Sequence, residues 1–368
     1  MKKKVIFVFR DMGTGGAQKI EAYVANILCK HNYDVYVVNM SSKPCTVNLD
    51  EKIPIIDVLY DDVEKQDNKV NKYLEKVCYL LRLRSAILAV KPDLVYAFLS
   101  DVVRITVLSL KGTGIPIIGS ERGDPNRFTN KQFIAYKKAY SKCAAVVFQL
   151  ANVKDKYDLS KEIYQVTIPN PCIPRLKNEF SLQRNSEHVI IGAGRLSEQK
   201  RFDVLINAFG LIHKQYPEYI LRIYGGGPLY EDLQKLINDK HYGNIELIGD
   251  VSDVFDSEKH AEMFVLSSDY EGIPNVLLES MGSGIPCIST DCSPGGARFL
   301  LKNGEYGLIV PCGDVVALSE AIEMYILNPS IRTKYAEKAL ESLSNFEPEK
   351  IASEWLSVTK VALESNHM

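Results

Sequence analysis

The chain is poor in the residues that usually mark metal and redox chemistry. Its eight cysteines contain no C-x-x-C pair, and its six histidines form no cluster. Those spacings exclude zinc-ribbon, zinc-finger and thioredoxin-like classes. Cys29, Cys143 and Cys287 lie in apolar stretches and read as buried thiols of a reducing cytoplasm. No apolar run approaches the ~20 residues of a membrane-spanning helix, and nothing after Met1 has the layout of a signal peptide. The expected location is cytoplasmic. No D-x-D triplet occurs, so the common carboxylate pair for a metal-bound phosphate is missing.

What is present is ordinary globular composition, 46% hydrophobic and 24% charged over 368 residues, enough for two domains with large cores. The net charge of −2 conceals an asymmetry, with +8 over residues 1–168 and −10 over residues 169–368. A basic half and an acidic half suggest different partners. Nucleic acid is not among them, because the basic residues carry no recognisable nucleic-acid-binding motif.

The stretch Glu271 to Pro286, EGIPNVLLESMGSGIP, concentrates the chemistry. Gly272 permits an unusual turn, and Pro274 suits the first turn of a helix because its missing N–H costs nothing there. Val276, Leu277, Leu278 and Met281 then form the buried face of a short helix that ends near Gly282 and Gly284. Glu271 precedes this helix and Glu279 lies about one turn inside it. A helix N-terminus offers amides and partial positive charge, a seat for phosphate or for electron-rich sugar oxygens, while two carboxylates accept bonds from hydroxyls. The geometry suits a polyhydroxylated, phosphorylated ligand.

In chain order, Lys4 to Phe9 reads as a strand, followed by the glycine loop RDMGTGGAQK and an amphipathic helix to about Lys30, then a strand from Asp34 to Met40. This is a βαβ opening. A nicotinamide-binding fingerprint fails twice: Gln18 replaces the third glycine, and Asn39-Met40-Ser41 lacks the acidic residue for a ribose. Over residues 61–91, Val70, Leu74, Val77, Leu81 and Leu88 fall on one helical stripe with lysines and arginines nearby. Such a stripe faces a core or meets anionic lipid. A second basic-aromatic stretch, Arg127 to Lys142, is compatible with the lipid reading. The loop Ser120 to Pro125, SERGDP, follows a strand and so lies at a sheet's carboxyl edge, where Arg122 contacts a ligand or pairs with Asp124.

Three closely spaced prolines among polar residues mark an interdomain linker over 169–186. The second βα series opens with VIIGAGRLSEQKRF, placing Arg195 and Lys200 on a loop suited to a diphosphate. Strand-loop units follow at Gly225 and Val251. Residues 320–362 read as helices, with Trp355 in the last.

The run FVLSSDYEGIPNVLLESMGSGIPCISTDC resembles the E-x7-E signature of retaining GT-B glycosyltransferases of the large family 4 type, matched here by Glu271 and Glu279. GGAQK resembles the loop of that family that lies against the donor diphosphate, which carries over to Gly16. GRLSEQK resembles its GRL…K segment, which carries over to Arg195 and Lys200. The resemblance implies an α/β architecture of two Rossmann-like doubly wound domains facing a cleft. An acceptor domain would span 1–168 and a nucleotide-sugar domain 187–345, with a terminal helix, 346–368, crossing back to the first domain. It implies catalytic roles for Arg195, Lys200 and Glu271. It implies donor contacts at Gly16, Arg122, Gly225, Val251, Gly272, Ile273, Pro274, Asn275, Val276 and Glu279. Arg122 stands where many relatives carry a histidine, so that histidine's role does not transfer directly.

The implied activity is retaining transfer of a hexose or N-acetylhexosamine from a UDP-sugar, without metal or other cofactor, in bacterial capsule, O-antigen or related glycan assembly. The implied acceptor is a glycan, including the undecaprenyl-diphosphate-linked kind, with peripheral contact to an anionic inner membrane. A GT-B nucleotide-sugar epimerase and a non-catalytic nucleotide-sugar-binding subunit are the alternatives.

Overall fold

Short apolar strands, each followed by a helix, assemble into two parallel sheets in the computed structural model, which describes residues 2–13, 15–59, 69–173, 188–258 and 260–365. The chain divides into two units, Met1–Asn170 with Glu349–Met368, and Pro171–Pro348. Most of the expected linker, residues 174–186, lies outside the described residues. Among the described residues no helix is long and apolar enough to cross a membrane.

The first unit runs β1 (Lys4–Phe9), α1 (Gly16–Lys30), β2 (Asp34–Asn39), β3 (Ile55–Asp57), α2 (Lys69–Val90), β4 (Leu94–Phe98), α3 (Ser100–Ser109), β5 (Ile117–Glu121), α4 (Asn130–Tyr140), β6 (Ala145–Phe148), α5 (Ala151–Tyr157) and β7 (Tyr164–Thr167). All pairings are parallel, in the order β3-β2-β1-β4-β5-β6-β7. A parallel sheet covered on both faces needs unbroken apolar strands, and VIFVF and LVYAF supply them at the centre. Phe7 stacks on Tyr96 at 4.6 Å. The terminal helix, Pro348–Glu364, buries Ile351, Trp355, Val358 and Ala362 in the same core. Its Thr359 hydroxyl lies 2.7 Å from that of Tyr96.

The 69–90 helix removes the core-facing one of the two readings of its stripe. Leu74, Val77, Leu81 and Leu88 do not face the core; Tyr79, Leu83 and Ile87 do, each fully buried. The helix has two apolar faces at helical spacing, and periodicity alone does not say which one meets the sheet. Val70's side chain and residues 60–68 lie outside the described residues. Of the cysteines expected to be buried, Cys143 and Cys287 are, while Cys29 is partly exposed; among the described residues all eight are free thiols.

One buried group in this unit is poorly served. Glu21 on α1 is 3% exposed, and its Oε1 has no hydrogen-bond partner among the described residues. Burial first, and the Asp11 charge second, hold its pKa well above the usual carboxylate range. The native state therefore keeps a proton that the unfolded chain gives up at the ordinary carboxylate pH. Stability from this group is full below that pH and is lost as pH rises through the native pKa. Glu21→Gln is expected to leave the melting temperature nearly unchanged at about pH 4 and to raise it at about pH 8. Melting curves across that range check it; parallel profiles for the two proteins would mean the carboxylate is accommodated as a charge.

The second unit runs β8 (Val189–Ala193), α6 (Phe202–Ile212), β9 (Ile220–Tyr224), α7 (Tyr230–Asp239), β10 (Ile245–Gly249), β11 (Met263–Leu266), α8 (Asn275–Gly282), β12 (Cys287–Thr290) and β13 (Leu308–Val310), then the helices Val315–Leu327 and Pro329–Glu341. Its strands are parallel in the order β10-β9-β8-β11-β12-β13. Phe202, Leu205 and Phe209 of α6 pack with Leu318 and Ile322 in its core. Both sheets reverse direction beside their first strand, the doubly wound Rossmann-like order expected from the sequence.

Candidate functional site

In an open parallel sheet, ligands bind beyond the strand carboxyl ends where the strand order reverses. In the second unit that point lies between β8 and β11, which are hydrogen-bonded neighbours. The loop after β8 carries Arg195 and Lys200; the loop after β11 carries Glu271. Strand order thus brings together residues more than 70 positions apart. Lys200 Nζ and a Glu271 carboxylate oxygen are 2.6 Å apart, with the side chains 13% and 12% exposed. The same oxygen accepts from the Ser268 hydroxyl at 3.0 Å. A lysine ammonium has three donors, so the bond to Glu271 leaves it capacity for phosphate oxygens. Arg195 is exposed on the same loop.

Main-chain and side-chain bonds tie the two loops together. Gln199 donates to the Tyr270 carbonyl at 2.8 Å and accepts from the Asp269 amide at 2.9 Å. Ser267 donates to the Lys200 carbonyl at 2.7 Å. Arg201, in a left-handed conformation with φ +47°, bridges Asp203 at 3.0 Å and Asp269 at 3.3 Å. Its pKa is raised by the Asp203 bond and further by Asp269, against the effect of burial. Sequence reasoning passed over Gln199, Arg201 and Asp269, whose only signal was proximity to Lys200 and Glu271. Gly194 also has a structural reason: with φ +148°, a Cβ there would lie 2.9 Å from the Lys200 side chain. A side chain on the glycine would therefore displace the lysine.

The loop from Glu271 leads into α8, with Pro274 at its N-cap rather than in its first turn. The Pro274 carbonyl accepts from the Leu277 and Leu278 amides, each at 3.2 Å. Leu277, Leu278 and Met281 are buried as expected, but Val276 is only half-buried. Gly272 and Asn275 are half-buried, Ile273 and Pro274 are buried, and Glu279 is half-buried one turn into the helix. Gly296, another residue the sequence did not single out, holds this loop from behind. A Cβ on it would come within 1.6 Å of the Gly272 carbonyl oxygen. Cys292 is buried nearby, its thiol pushed up to about 12 by burial and then by the Glu271 charge.

The remaining expected contacts of this unit sit on the neighbouring loops. Gly194 donates to the Tyr224 carbonyl at 2.9 Å, and Gly225 to the Gly249 carbonyl at 2.7 Å. These bonds join the ends of β8, β9 and β10. Val251 is exposed beyond β10.

Gly16 and Arg122 belong to the first unit. Gly16 opens α1, and the preceding loop is organised by Asp11, which accepts from the Gly13 amide at 3.0 Å and from Gln18 at 3.1 Å. Arg122 is 6% exposed and does not pair with Asp124. It donates to the Ile168 carbonyl at 3.2 Å and to Asn170 at 2.9 Å, and its guanidinium lies 5.8 Å from Phe98 and 5.7 Å from Trp355. Burial lowers its pKa. Its neighbour Glu121 is also buried, accepting from Ser100, Tyr157 and Tyr140. Much of the SERGDP loop is thus committed to the unit's interior. Among the described residues no group of three or more His, Cys, Asp or Glu side chains could hold a metal ion.

Residues 175–342 match the family described as glycosyl transferases group 1. An uncharacterized glycosyltransferase of Haemophilus influenzae is 25% identical over 367 residues, spanning 97% of this chain and all of that one. A Campylobacter jejuni α-1,4-N-acetyl-D-galactosaminyltransferase, whose named acceptor is GalNAc-α-(1→4)-GalNAc-α-(1→3)-diNAcBac-PP-undecaprenol, is 25% identical over 360 residues, 96% of this chain and 98% of its own. Anabaena HepE, solved in complex with UDP, superposes with a TM-score of 0.77 at 16% identity, covering 98% of this chain and all of that one. The fold is GT-B. Together these findings support a GT-B glycosyltransferase.

Proposed function

We propose that this protein moves a hexosyl or N-acetylhexosaminyl group from a UDP-sugar to a glycan acceptor linked to undecaprenyl diphosphate, with retention of configuration. The observation that carries the reading is the Lys200–Glu271 pair at the strand-order reversal of the second unit, beside the N-terminus of α8. Arg195 and Lys200 take the charge that develops on the leaving diphosphate, so no metal is called for. Glu271 and the amides of Gly272, Ile273, Pro274's successor Asn275 and Val276 hold the donor sugar. Glu279 takes the ribose hydroxyls, and backbone atoms at Gly225 and Val251 flank the base. The first unit selects the acceptor, with Gly16 as a proposed ligand contact, while the buried Arg122 braces the loop behind it.

In the transfer step the bond from C1 to the diphosphate oxygen breaks and its electrons stay on UDP. The acceptor hydroxyl oxygen bonds to C1 from the same face, and its proton passes to the departing phosphate oxygen. The UDP complex of the Anabaena neighbour and the named acceptor of the Campylobacter relative support the choices of nucleotide and lipid carrier. A location on the inner face of the cytoplasmic membrane follows from such an acceptor.

Binding of a ligand to the native state alone raises the melting temperature by mass action. UDP and one UDP-sugar are expected to stabilise the protein, whereas ADP, GDP and NAD are not, and Glu279→Ala is expected to abolish the shift. A shift with NAD, or none with any uridine nucleotide, would overturn the proposal. The anomeric configuration of the product, read by NMR, decides retention.

A further inference from the structure

The backbone at Arg201 has a shape that glycine adopts freely and that a residue with a side chain adopts only under strain. Arg201 lies between the short turn Glu198–Lys200 and helix α6, with φ +47° and ψ +44°, in the left-handed region. Its carbonyl accepts from the Val204 amide at 3.0 Å and so opens α6. Residues strained in this way cluster at reactive sites, where their surroundings hold them. Here the holding is done by the side chain, through all three guanidinium nitrogens. Nε and one terminal nitrogen each lie 3.0 Å from the Asp203 carboxylate, and the other terminal nitrogen lies 3.3 Å from both oxygens of Asp269. Asp203 belongs to the first turn of α6 and Asp269 to the loop after β11, so one planar fork joins the two elements.

These pairs fix direction more than they add stability. The Arg201, Asp203 and Asp269 side chains are 32%, 45% and 38% exposed, and ion pairs so open to water contribute little to a fold. Arg201 is the last of three consecutive residues fastened to the loop after β11. Gln199 is held at Asp269 and Tyr270, Lys200 is held at its carbonyl by Ser267, and Arg201 is held at Asp269. Lys200 thus stands between two clamps, and the backbone on either side of it sets the direction in which its side chain leaves for Glu271. We propose that Arg201 is a positioning residue for sugar transfer, holding Lys200 so that its ammonium meets both Glu271 and the charge left on the departing diphosphate. With Nε and both terminal nitrogens on carboxylates, Arg201 acts through Lys200 rather than on the phosphates itself. The inference rests on the reading of Lys200 given above.

The test uses Arg201→Gly, which keeps the left-handed backbone and removes the guanidinium, and Asp269→Asn, which keeps the shape of the far anchor and removes its charge. UDP and the transition state carry negative charge on a terminal phosphate oxygen that the intact UDP-sugar lacks. Arg201→Gly is therefore expected to weaken UDP binding, read by calorimetry, roughly tenfold and to lower kcat by about as much, while the UDP-sugar KM changes less than about threefold. Asp269→Asn should move both quantities in the same direction, and the melting temperature without nucleotide should stay nearly unchanged in each variant. Added to Lys200→Ala, Arg201→Gly should alter UDP affinity by less than about twofold, because the group it positions is already gone. The inference is overturned if both variants bind UDP as the unaltered chain does, or if the roughly tenfold loss persists in Lys200→Ala, which would make Arg201 a direct ligand. A fall in melting temperature that tracks the loss of UDP affinity in both variants would make the bridge structural and overturn it too. Unaltered UDP affinity and turnover in Lys200→Ala would remove the reading of Lys200 itself, whereas a loss there with none in Arg201→Gly removes only this inference.

Discussion

Lys200→Ala is expected to slow sugar transfer about 100- to 1,000-fold, the usual cost of removing one preorganised charge from a developing anion. The same change leaves Glu271, only 12% exposed on its side chain, without the cation 2.6 Å away. Breaking a largely buried pair from one side strands a charge, typically at a cost of about 3–5 kcal/mol. Activity and stability must therefore be separated. Replacing both partners, Lys200→Met with Glu271→Gln, leaves no uncompensated charge and should recover most of the stability while turnover stays low. Initial rates with the cognate UDP-sugar, together with denaturant titrations of the singles and the double, complete a cycle whose coupling term isolates the pair. Turnover within tenfold of the unaltered protein in Lys200→Ala would remove this lysine from the chemistry. A double variant as unstable as the worse single would show that the loops depend on the two side chains for packing as well as charge.

Trp355→Ala is expected to destabilise the first unit by about 3–5 kcal/mol, the range for deleting a large buried aromatic. The indole is fully buried, 5.5 Å from Phe98 and 6.1 Å from Tyr96, with the Arg122 guanidinium over its ring. Its removal opens a cavity between the terminal helix and the β1–β4 centre. It also takes away one of the two aromatic rings over which the buried Arg122 cation lies. The two units have separate cores, so unfolding need not be a single transition. The loss should fall on the transition of the first unit and leave the one that UDP protects in place. As the chain's sole tryptophan, Trp355 reports directly on this core by fluorescence in the unaltered protein. A loss below ~1 kcal/mol, or an equal shift of both transitions, would contradict the assignment of the terminal helix to the first unit's core.

Much of the fold could be read before any coordinates. Each expected strand is present within a residue or two, because runs such as VIFVF and LVYAF suit only strands covered on both faces. The loops that follow β8 and β11 were singled out because glycine, paired cations and paired glutamates were adjacent within short windows. Residues that act through long-range contacts gave no such signal. Arg201 is one more arginine in a charged stretch until Asp269 is known to be its neighbour. Gly296 is one more glycine until the Gly272 carbonyl is found against it.

Arg122 and helix α2 show a different limit. Loop position placed Arg122 at a ligand edge, and helical period left Leu74 and its companions to face either a core or a lipid surface. The structure buries the arginine beside the stacked Phe98 and Trp355 rings and turns the leucines outward. Local sequence reports that a residue is apolar, charged or at helical spacing; it does not report what lies opposite.

By itself, then, the sequence determined the alternation of strands and helices, the two charge-opposed halves and the segments that carry the candidate chemistry, since these depend on contacts within a few residues. Tertiary structure alone decided that Lys200 meets Glu271, which residues of the terminal helix enter the first core, and which face of α2 is left to solvent. Those outcomes follow from strand order and helix docking, which are set by the burial of apolar surface summed over a whole unit rather than by any one segment.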